Sequence, residues 1–343
     1  MDLKTFLQHA SGSPTTLSEI ARVHTLVQSE EFIGAFAYAT QSGVASFDLK
    51  MGDDFWALTP SRWLFGIDYG RTQPKALRAI SEKPNAEVRV VDGEWVVEQA
   101  GFMPRRDFHA KMALLLNPEI SRYAAVIGSG NFSSNGLRKS IEAGASIIAN
   151  DEDDYNEALS GSVSSIEEIW AAATPAKQIL DEYEGVWSQS FSRSAEIQTE
   201  EESDHLSDFF WIEAGYVTRN RGPSRPGNQI DFPRGTTARY FGFDPPNHMA
   251  RNSVIGPVTF ETPIGESVTN NLRLGNNMME KISLPIPETH GFDIYDGKVL
   301  IFQRSGGRFV MRALEADDFE AAFGDRLSSV RVMGSGRRYG YLT

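Results

Sequence analysis

Apolar residues run almost unbroken over residues 112–116, 123–127 and 145–149, and each run reads as a buried strand. Upstream, Leu17, Ile20, Val23, Leu26 and Val27 recur at helical spacing over residues 15–30, behind a cap at Thr16 or Ser18. Residues 32–39 and 62–67 predict further strands, the second running into the turn Gly66-Ile67-Asp68-Tyr69-Gly70. Thr72-Gln73-Pro74 then opens a short helix through Ile80. Residues 87–91 and 95–97 read as a hairpin about Asp92-Gly93. The acidic stretch 151–154 reads as a solvated loop or helix start, and residues 164–188 as a helix that Pro175 breaks or kinks. Alternation of strands and helices predicts an α/β domain over residues 1–190.

Periodicity then disappears over residues 191–208, where Ser, Glu and Asp dominate and an inter-domain linker is expected. Residues 209–343 have another character. Short β-like runs at 209–212, 238–243, 258–262, 282–284, 299–303, 309–313 and 330–333 are separated by Gly, Pro and Asn, with one helix at 317–323. That pattern predicts an all-β, barrel-like or sandwich domain with a little helix.

The chain has 343 residues, enough for about two domains with real cores. Hydrophobic content of 41% and a mean hydropathy of -0.32 are those of an ordinary soluble chain, and no run approaches a membrane span. There is no secretory signal pattern at the N-terminus and no Cys, which fits the cytoplasm and excludes disulfides and thiolate metal sites. Net charge is -13, which taken alone argues against a nucleic-acid partner. The distribution changes that. Residues 1–205 hold 17 Lys+Arg against 31 Asp+Glu, whereas residues 206–343 hold 16 against 15. The basic residues of the second half are 14 Arg and 2 Lys, and Arg suits bidentate contacts to phosphate and guanine.

Candidate chemistry gathers around the central strands. His109 and Lys111, separated by one residue, would place an imidazole and an ammonium on one face of a strand. The next strand ends in Gly128-Ser129-Gly130-Asn131, where small residues would let backbone approach a phosphate and Asn131 would donate an amide hydrogen. Glu142, just ahead of the third run, could hold an imidazole in one tautomer, or pair with Arg138 or Lys139 on the surface. Taken singly, each feature has a plainer reading, a core histidine or an ordinary strand-to-helix turn. Their order together favours chemistry.

In combination, His109-x-Lys111 followed by Gly128-Ser129-x-Asn131 resembles the HxK…GSxN signature of the phospholipase D (HKD) superfamily. Glu142, eleven residues after the Asn, is similar to the superfamily's restriction-endonuclease branch of the BfiI, NgoAVII and CglI type. The Asp that the superfamily carries a few residues beyond the Lys is absent here, as in that branch. The resemblance implies a phospholipase D-like nuclease domain in which His109 attacks phosphorus to form a phosphohistidine. Lys111, Asn131 and Ser129 would stabilise the charge on the non-bridging oxygens. It implies no metal and no other cofactor. The mechanism needs a second His as general acid, and with a single HxK the economical arrangement is a homodimer whose two His109 residues share one active site.

The order of features in residues 209–343 resembles the B-three-like DNA-binding pseudobarrel of these restriction enzymes and of plant transcription factors. That likeness implies two loops entering the major groove of double-stranded DNA. The candidates are residues 219–229, with Arg219, Arg221, Arg225 and Asn228, and residues 270–277, with Arg273 and Asn276. The NgoAVII and CglI type implies a separate ATPase subunit, and this chain has no G-x-x-x-x-G-K-[ST] of its own. The expected function is thus a sequence-specific, metal-independent restriction endonuclease. A non-specific HKD phosphodiesterase acting on nucleic acid or lipid, and a DNA-binding protein with a vestigial catalytic domain, are the alternatives.

Overall fold

The structure is a computed structural model that describes residues 1–9, 12–192, 207–217, 221–222, 225–233, 236–243, 249–275, 279–333 and 336–343. It divides into two compact units, Met1–Ser190 and Phe191–Thr343.

The first unit runs β1 (Asp2–Gln8), α1 (Thr16–Val27), β2 (Glu31–Phe36), α2 (Gln41–Met51), α3 (Asp53–Leu58), β3 (Ser61–Phe65), α4 (Pro74–Ser81), β4 (Ala86–Val90), α5 (Gly93–Glu98), β5 (Lys111–Asn117), β6 (Arg122–Gly128), β7 (Glu142–Ala149), α6 (Glu152–Ala158), α7 (Ser160–Ala172), β8 (Thr174–Pro175) and α8 (Ala176–Ser192). Its strands form one sheet in the order β1-β7-β6-β5-β2-β3-β4-β8. β2, β3 and β4 are parallel, because the helices between them return the chain to the same end of the sheet; the remaining pairings are antiparallel. Side chains alternate between two buried faces, as strands covered on both sides require. Phe32, Phe36, Trp63, Phe65, Ala113, Leu115, Ala124 and Val126 pack beneath α1 to α5 and α8. Ile33, Ala35, Leu64, Leu114, Leu116 and Ala125 pack beneath α6 and α7.

Several elements differ from expectation. α1 is capped by Thr15, whose hydroxyl accepts from the Ser18 amide while Ser18 Oγ accepts from the Thr15 amide, a reciprocal box. The hairpin expected about Asp92-Gly93 is half wrong: β4 is there, but Gly93–Glu98 is helix. Asp92 turns the chain with a left-handed φ of 50°, and a Cβ on Gly93 would lie 2.7 Å from Ile179 Cδ1, so this turn tucks under α8 with Val96 and Val97 inward. Pro175 does end the helix before it, and lies in β8 beside β4. β1 and α2 were not expected. β1 buries only Phe6 and Gln8, and α2 is rich in Ser and Gly, so neither carries a clear apolar period.

The second unit runs β9 (Phe209–Glu213), β10 (Gln229–Phe232), α9 (Thr236–Tyr240), β11 (Val254–Glu261), β12 (Ser267–Leu274), β13 (Glu280–Ser283), β14 (Val299–Ser305), β15 (Arg308–Leu314), α10 (Ala316–Phe323), β16 (Leu327–Val332) and β17 (Arg338–Leu342). Among the described residues it is a single nine-stranded mixed sheet, β10-β13-β12-β11-β15-β14-β9-β17-β16, in which only β11 and β15 pair in parallel. Phe210, Ile212, Leu300 and Phe302 face one core; Trp211, Val299 and Ile301 face a smaller one under α10. Two expectations are corrected here. A strand was expected at 238–243, but residues 236–240 are α9, where the buried Tyr240 hydroxyl lies within hydrogen-bond reach of the carbonyls of Asp208 (2.8 Å) and Phe302 (2.6 Å). Residues 270–274, expected as loop, belong to β12: Leu272 and Leu274 face inward and Asn270 Nδ2 donates to Ser283 O at 2.6 Å.

Candidate active site

Four neighbouring strands meet at one end of the first sheet. β2 and β6 finish there while β5 and β7 begin, with Phe36 opposite Lys111, Met112 opposite Ile127 and Gly128 opposite Gly144. Backbone bonds continue beyond the strands: Ala37 N to Ala110 O (2.8 Å), Ser129 N to Ala143 O (3.0 Å), and Phe132 N to Tyr38 O (2.9 Å). His109, Lys111, Ser129, Asn131 and Glu142 therefore come from three stretches of chain to one edge.

Each is held by its neighbours. Asn131 is positioned by Phe132, whose fully buried ring packs against Phe36 (5.2 Å between centroids), Trp63 (5.2 Å), Phe47 (5.7 Å) and Phe65 (5.8 Å). Burying such a ring contributes about 1.5–3 kcal/mol before the edge-on contacts are counted. The buried Asn131 Oδ1 has no hydrogen-bond partner, and a half turn of the amide would present an N–H there instead. Glu142 accepts a hydrogen bond from Ser129 Oγ, which in turn accepts from the Ala143 amide at 3.1 Å. Its carboxylate thus orients the hydroxyl, where the sequence had suggested an imidazole.

The glycines at this turn serve packing. A Cβ on Gly130 would lie 2.2 Å from Gly136 O, and one on Gly136 would lie 2.4 Å from Asn131 O. Two backbone turns are pressed together, and the space expected for a phosphate at Gly130 is filled by residues 135–139. Gln8 ties that second turn down: its Nε2 donates to Ser140 O (2.9 Å) and Asn135 O (3.3 Å), and its Oε1 accepts from Thr16 N (3.1 Å).

His109 lies two residues ahead of Lys111, the first residue of β5. Its side chain is exposed, and Lys111 Nζ donates to the His109 carbonyl at 3.1 Å. Burial lowers the pKa of Lys111, and the Glu142 carboxylate opposes that shift. Four further residues frame His109. Tyr38, 6% exposed, sets its ring 5.9 Å from the imidazole at 76°. Arg71 stacks over Tyr38 at 5.2 Å and Tyr69 at 5.8 Å, Tyr69 Oη donates to Asp107 at 2.8 Å, and Asp68 Oδ2 accepts from Phe108 N at 2.9 Å. Burial raises the Asp68 pKa, as does Asp107, against the Phe108 amide and His109. Sequence reasoning placed residues 66–70 only in a turn; they reach His109 because β3 leaves the sheet at the same end as β2, Phe36 opposite Phe65.

Among the described residues no group of three or more His, Asp or Glu could hold a metal ion, and no helix is long and apolar enough to cross a membrane.

The DNA-binding candidates fare unequally. Arg219 and Asn276 lie outside the described residues, as does most of the expected linker. Arg221 forms a two-pronged pair with Glu288 (2.8 and 2.6 Å), and Asn228 exchanges hydrogen bonds with the backbone of Leu284. Both therefore hold structure. Arg225 is exposed, and Arg273 is exposed on β12 opposite Lys281, not in a loop.

No protein-family model matches the sequence, and no curated protein matches it. Among solved structures the chain is similar to NucT from Helicobacter pylori, at 12% identity over 51% of this chain and 99% of that one, with a TM-score of 0.35. It is also similar to Nuc from Salmonella typhimurium, a phospholipase D family member (11% identity, 51% and 97%, TM-score 0.34). A third similar structure is yeast tyrosyl-DNA phosphodiesterase (11% identity, 43% and 32%, TM-score 0.29). At these identities and scores the likeness says nothing of chemistry.

Proposed function

We propose that this chain is a metal-independent phosphodiesterase of the HKD type that cleaves DNA, with its reacting groups at the meeting point of β2, β5, β6 and β7. The observation that carries the reading is the company His109 keeps. The exposed His109 imidazole, the half-buried Lys111 ammonium, the Asn131 amide with an unpartnered buried end and the Ser129 hydroxyl oriented by Glu142 are all carried at this one end of the sheet. In this reading an imidazole nitrogen attacks phosphorus and the bond to the leaving oxygen breaks. The leaving oxygen takes a proton from the partner's His109. Water then attacks the phosphohistidine, giving its proton to the same imidazole as the P–N bond breaks. Lys111, Asn131 and Ser129 stabilise the charge on the non-bridging oxygens in both steps.

The finer reading is a restriction endonuclease: residues 1–190 as the catalytic domain, residues 209–343 as a B-three-like domain that reads sequence, and a homodimer sharing one site. Support for self-association is the single HxK and the exposed Leu7, Ile127 and Ile141 near the same end of the sheet. Support for double-stranded DNA is the Arg-rich second half, with Arg225 and Arg273 exposed. A separate ATPase subunit and a cytoplasmic location complete the proposal, the latter fitting a chain without Cys.

The test is cleavage of plasmid DNA and of a small activated phosphodiester in EDTA by the full chain and by His109→Ala. Cleavage that persists in EDTA and is lost in the variant supports the reading; cleavage that survives the substitution refutes it.

A further inference from the structure

Beside His109 the chain adopts a conformation that its residue type disfavours. Tyr69 has φ 57° and ψ 17°, a left-handed backbone that bulky side chains rarely adopt and that recurs where function imposes it. The surroundings enforce it. Gly70 N bonds Ile67 O (3.0 Å), Trp187 Nε1 bonds Gly70 O (2.7 Å), and Tyr69 Oη is anchored on Asp107, two residues before His109. The result is a ring left 40% exposed. Arg71 lies alongside, exposed, its guanidinium over the buried Tyr38 and close to Tyr69, and Tyr38 in turn packs edge-on against the His109 imidazole.

From this we infer that Tyr69 and Arg71, propped by Tyr38, form a shelf on which the nucleobase next to the scissile phosphate stacks. The catalytic unit therefore takes an unpaired strand at the point of cleavage. A flat ring and a planar guanidinium suit any base, because each has a π-face, and base-on-aromatic stacking is sequence-tolerant. The Asp68 and Asp107 carboxylates beneath the shelf disfavour a second phosphate there, which leaves the position to a base. A base inside a duplex has both faces covered by its neighbours, so use of the shelf requires a single strand or local opening. A phospholipid headgroup has no flat aromatic ring to place on it. The inference rests on the phosphodiesterase reading of the His109 site and deepens it.

The experiment compares an eight-residue oligothymidylate with the same backbone built of abasic units, cut by the full chain, by Tyr69→Asn and by Tyr69→Phe. Asn tolerates the left-handed turn, so Tyr69→Asn removes the ring without unfolding the loop, which thermal melting verifies; Tyr69→Phe keeps the ring and loses only the Asp107 bond. Wild type should cut the thymidylate with a kcat/KM about tenfold above that for the abasic strand. Tyr69→Asn should bring the two substrates together, and Tyr69→Phe should restore most of the difference. Equal rates on both strands in wild type, or an equal loss on both in Tyr69→Asn, overturns the shelf. Failure to cut either single strand, with plasmid still cut in a His109-dependent way, overturns the shelf and leaves the phosphodiesterase reading standing. Cutting that ignores His109→Ala removes both.

Discussion

Gly130→Ala separates two accounts of the glycines beside Asn131. If they are there to admit a phosphate, an added methyl obstructs ligand alone and leaves folding untouched. The packing says otherwise. The new Cβ would lie 2.2 Å from Gly136 O and 2.7 Å from Gly136 C, whereas a carbon-to-oxygen contact needs about 3.3 Å, so roughly 1 Å of backbone movement is required. No side chain can rotate away, and the opposing turn cannot swing out freely because Gln8 holds Ser140 and Asn135. Overpacking of this kind costs about 1–3 kcal/mol. At about 2–4 °C per kcal/mol for a unit of this size, a 2 kcal/mol loss lowers Tm by about 4–8 °C. A shift of about 1 Å at Asn131 also costs on the order of a hundredfold in rate. Gly128→Ala is the control, since the nearest atoms to its Cβ are Thr16 Oγ1 at 3.5 Å, Ala143 O at 3.6 Å and Thr16 Cγ2 at 3.8 Å, ordinary contacts. Calorimetry and plasmid cleavage on both variants decide the matter. Equal melting of Gly128→Ala and Gly130→Ala, or a Gly130→Ala protein indistinguishable from wild type in Tm and rate, refutes the packing account.

Glu142→Gln removes the carboxylate that keeps the Lys111 pKa from falling further under burial, so Lys111 should lose its proton at lower pH. The alkaline limb of the cleavage profile should then move to lower pH; a limb that stays in place shows that Lys111 does not set it. Glu19 is buried and bridges Lys4 (2.7 Å) and Arg22 (2.7 Å), which hold its carboxyl below the usual 4.5 against burial that acts to raise it. Its contribution is present above pH 4.5 and is lost as pH falls through the folded-state value, so Glu19→Gln should flatten the acid side of the stability curve in urea titrations. At neutral pH the same substitution should cost about 1–3 kcal/mol, since both cations are partly exposed and can rehydrate.

What the sequence made legible follows from how locally each feature is determined. β5, β6 and β7 declare themselves because both faces of the sheet are covered over most of their length, so nearly every position there is apolar. α2 hides because its packing comes from Gly43, where a Cβ would lie 2.0 Å from Phe132 O, a contact across 89 residues of chain. β12 reads as a loop because its outward positions are Thr269, Asn271 and Arg273, and only Leu272 and Leu274 mark the inside. The same division runs through the candidate site. His109, Lys111, Ser129, Asn131 and Glu142 lie within one stretch and could be picked out together. Tyr38, Asp68, Tyr69 and Arg71 could not, because only the sheet order β5-β2-β3 brings them to His109.

The pairing of β1 with β7 has a consequence for synthesis. β1 finds its partner, Gln8 opposite Glu142 and Asp2 opposite Ile148, only after some 140 further residues have been made. Until then the turn that Gln8 will hold against Asn131 is untethered. A nascent chain arrested before Glu142 carries His109 and Lys111 but lacks the strand pairing that seats Gln8 against residues 135–140. Assembly of this end of the sheet is thereby deferred until the first unit has been translated nearly in full.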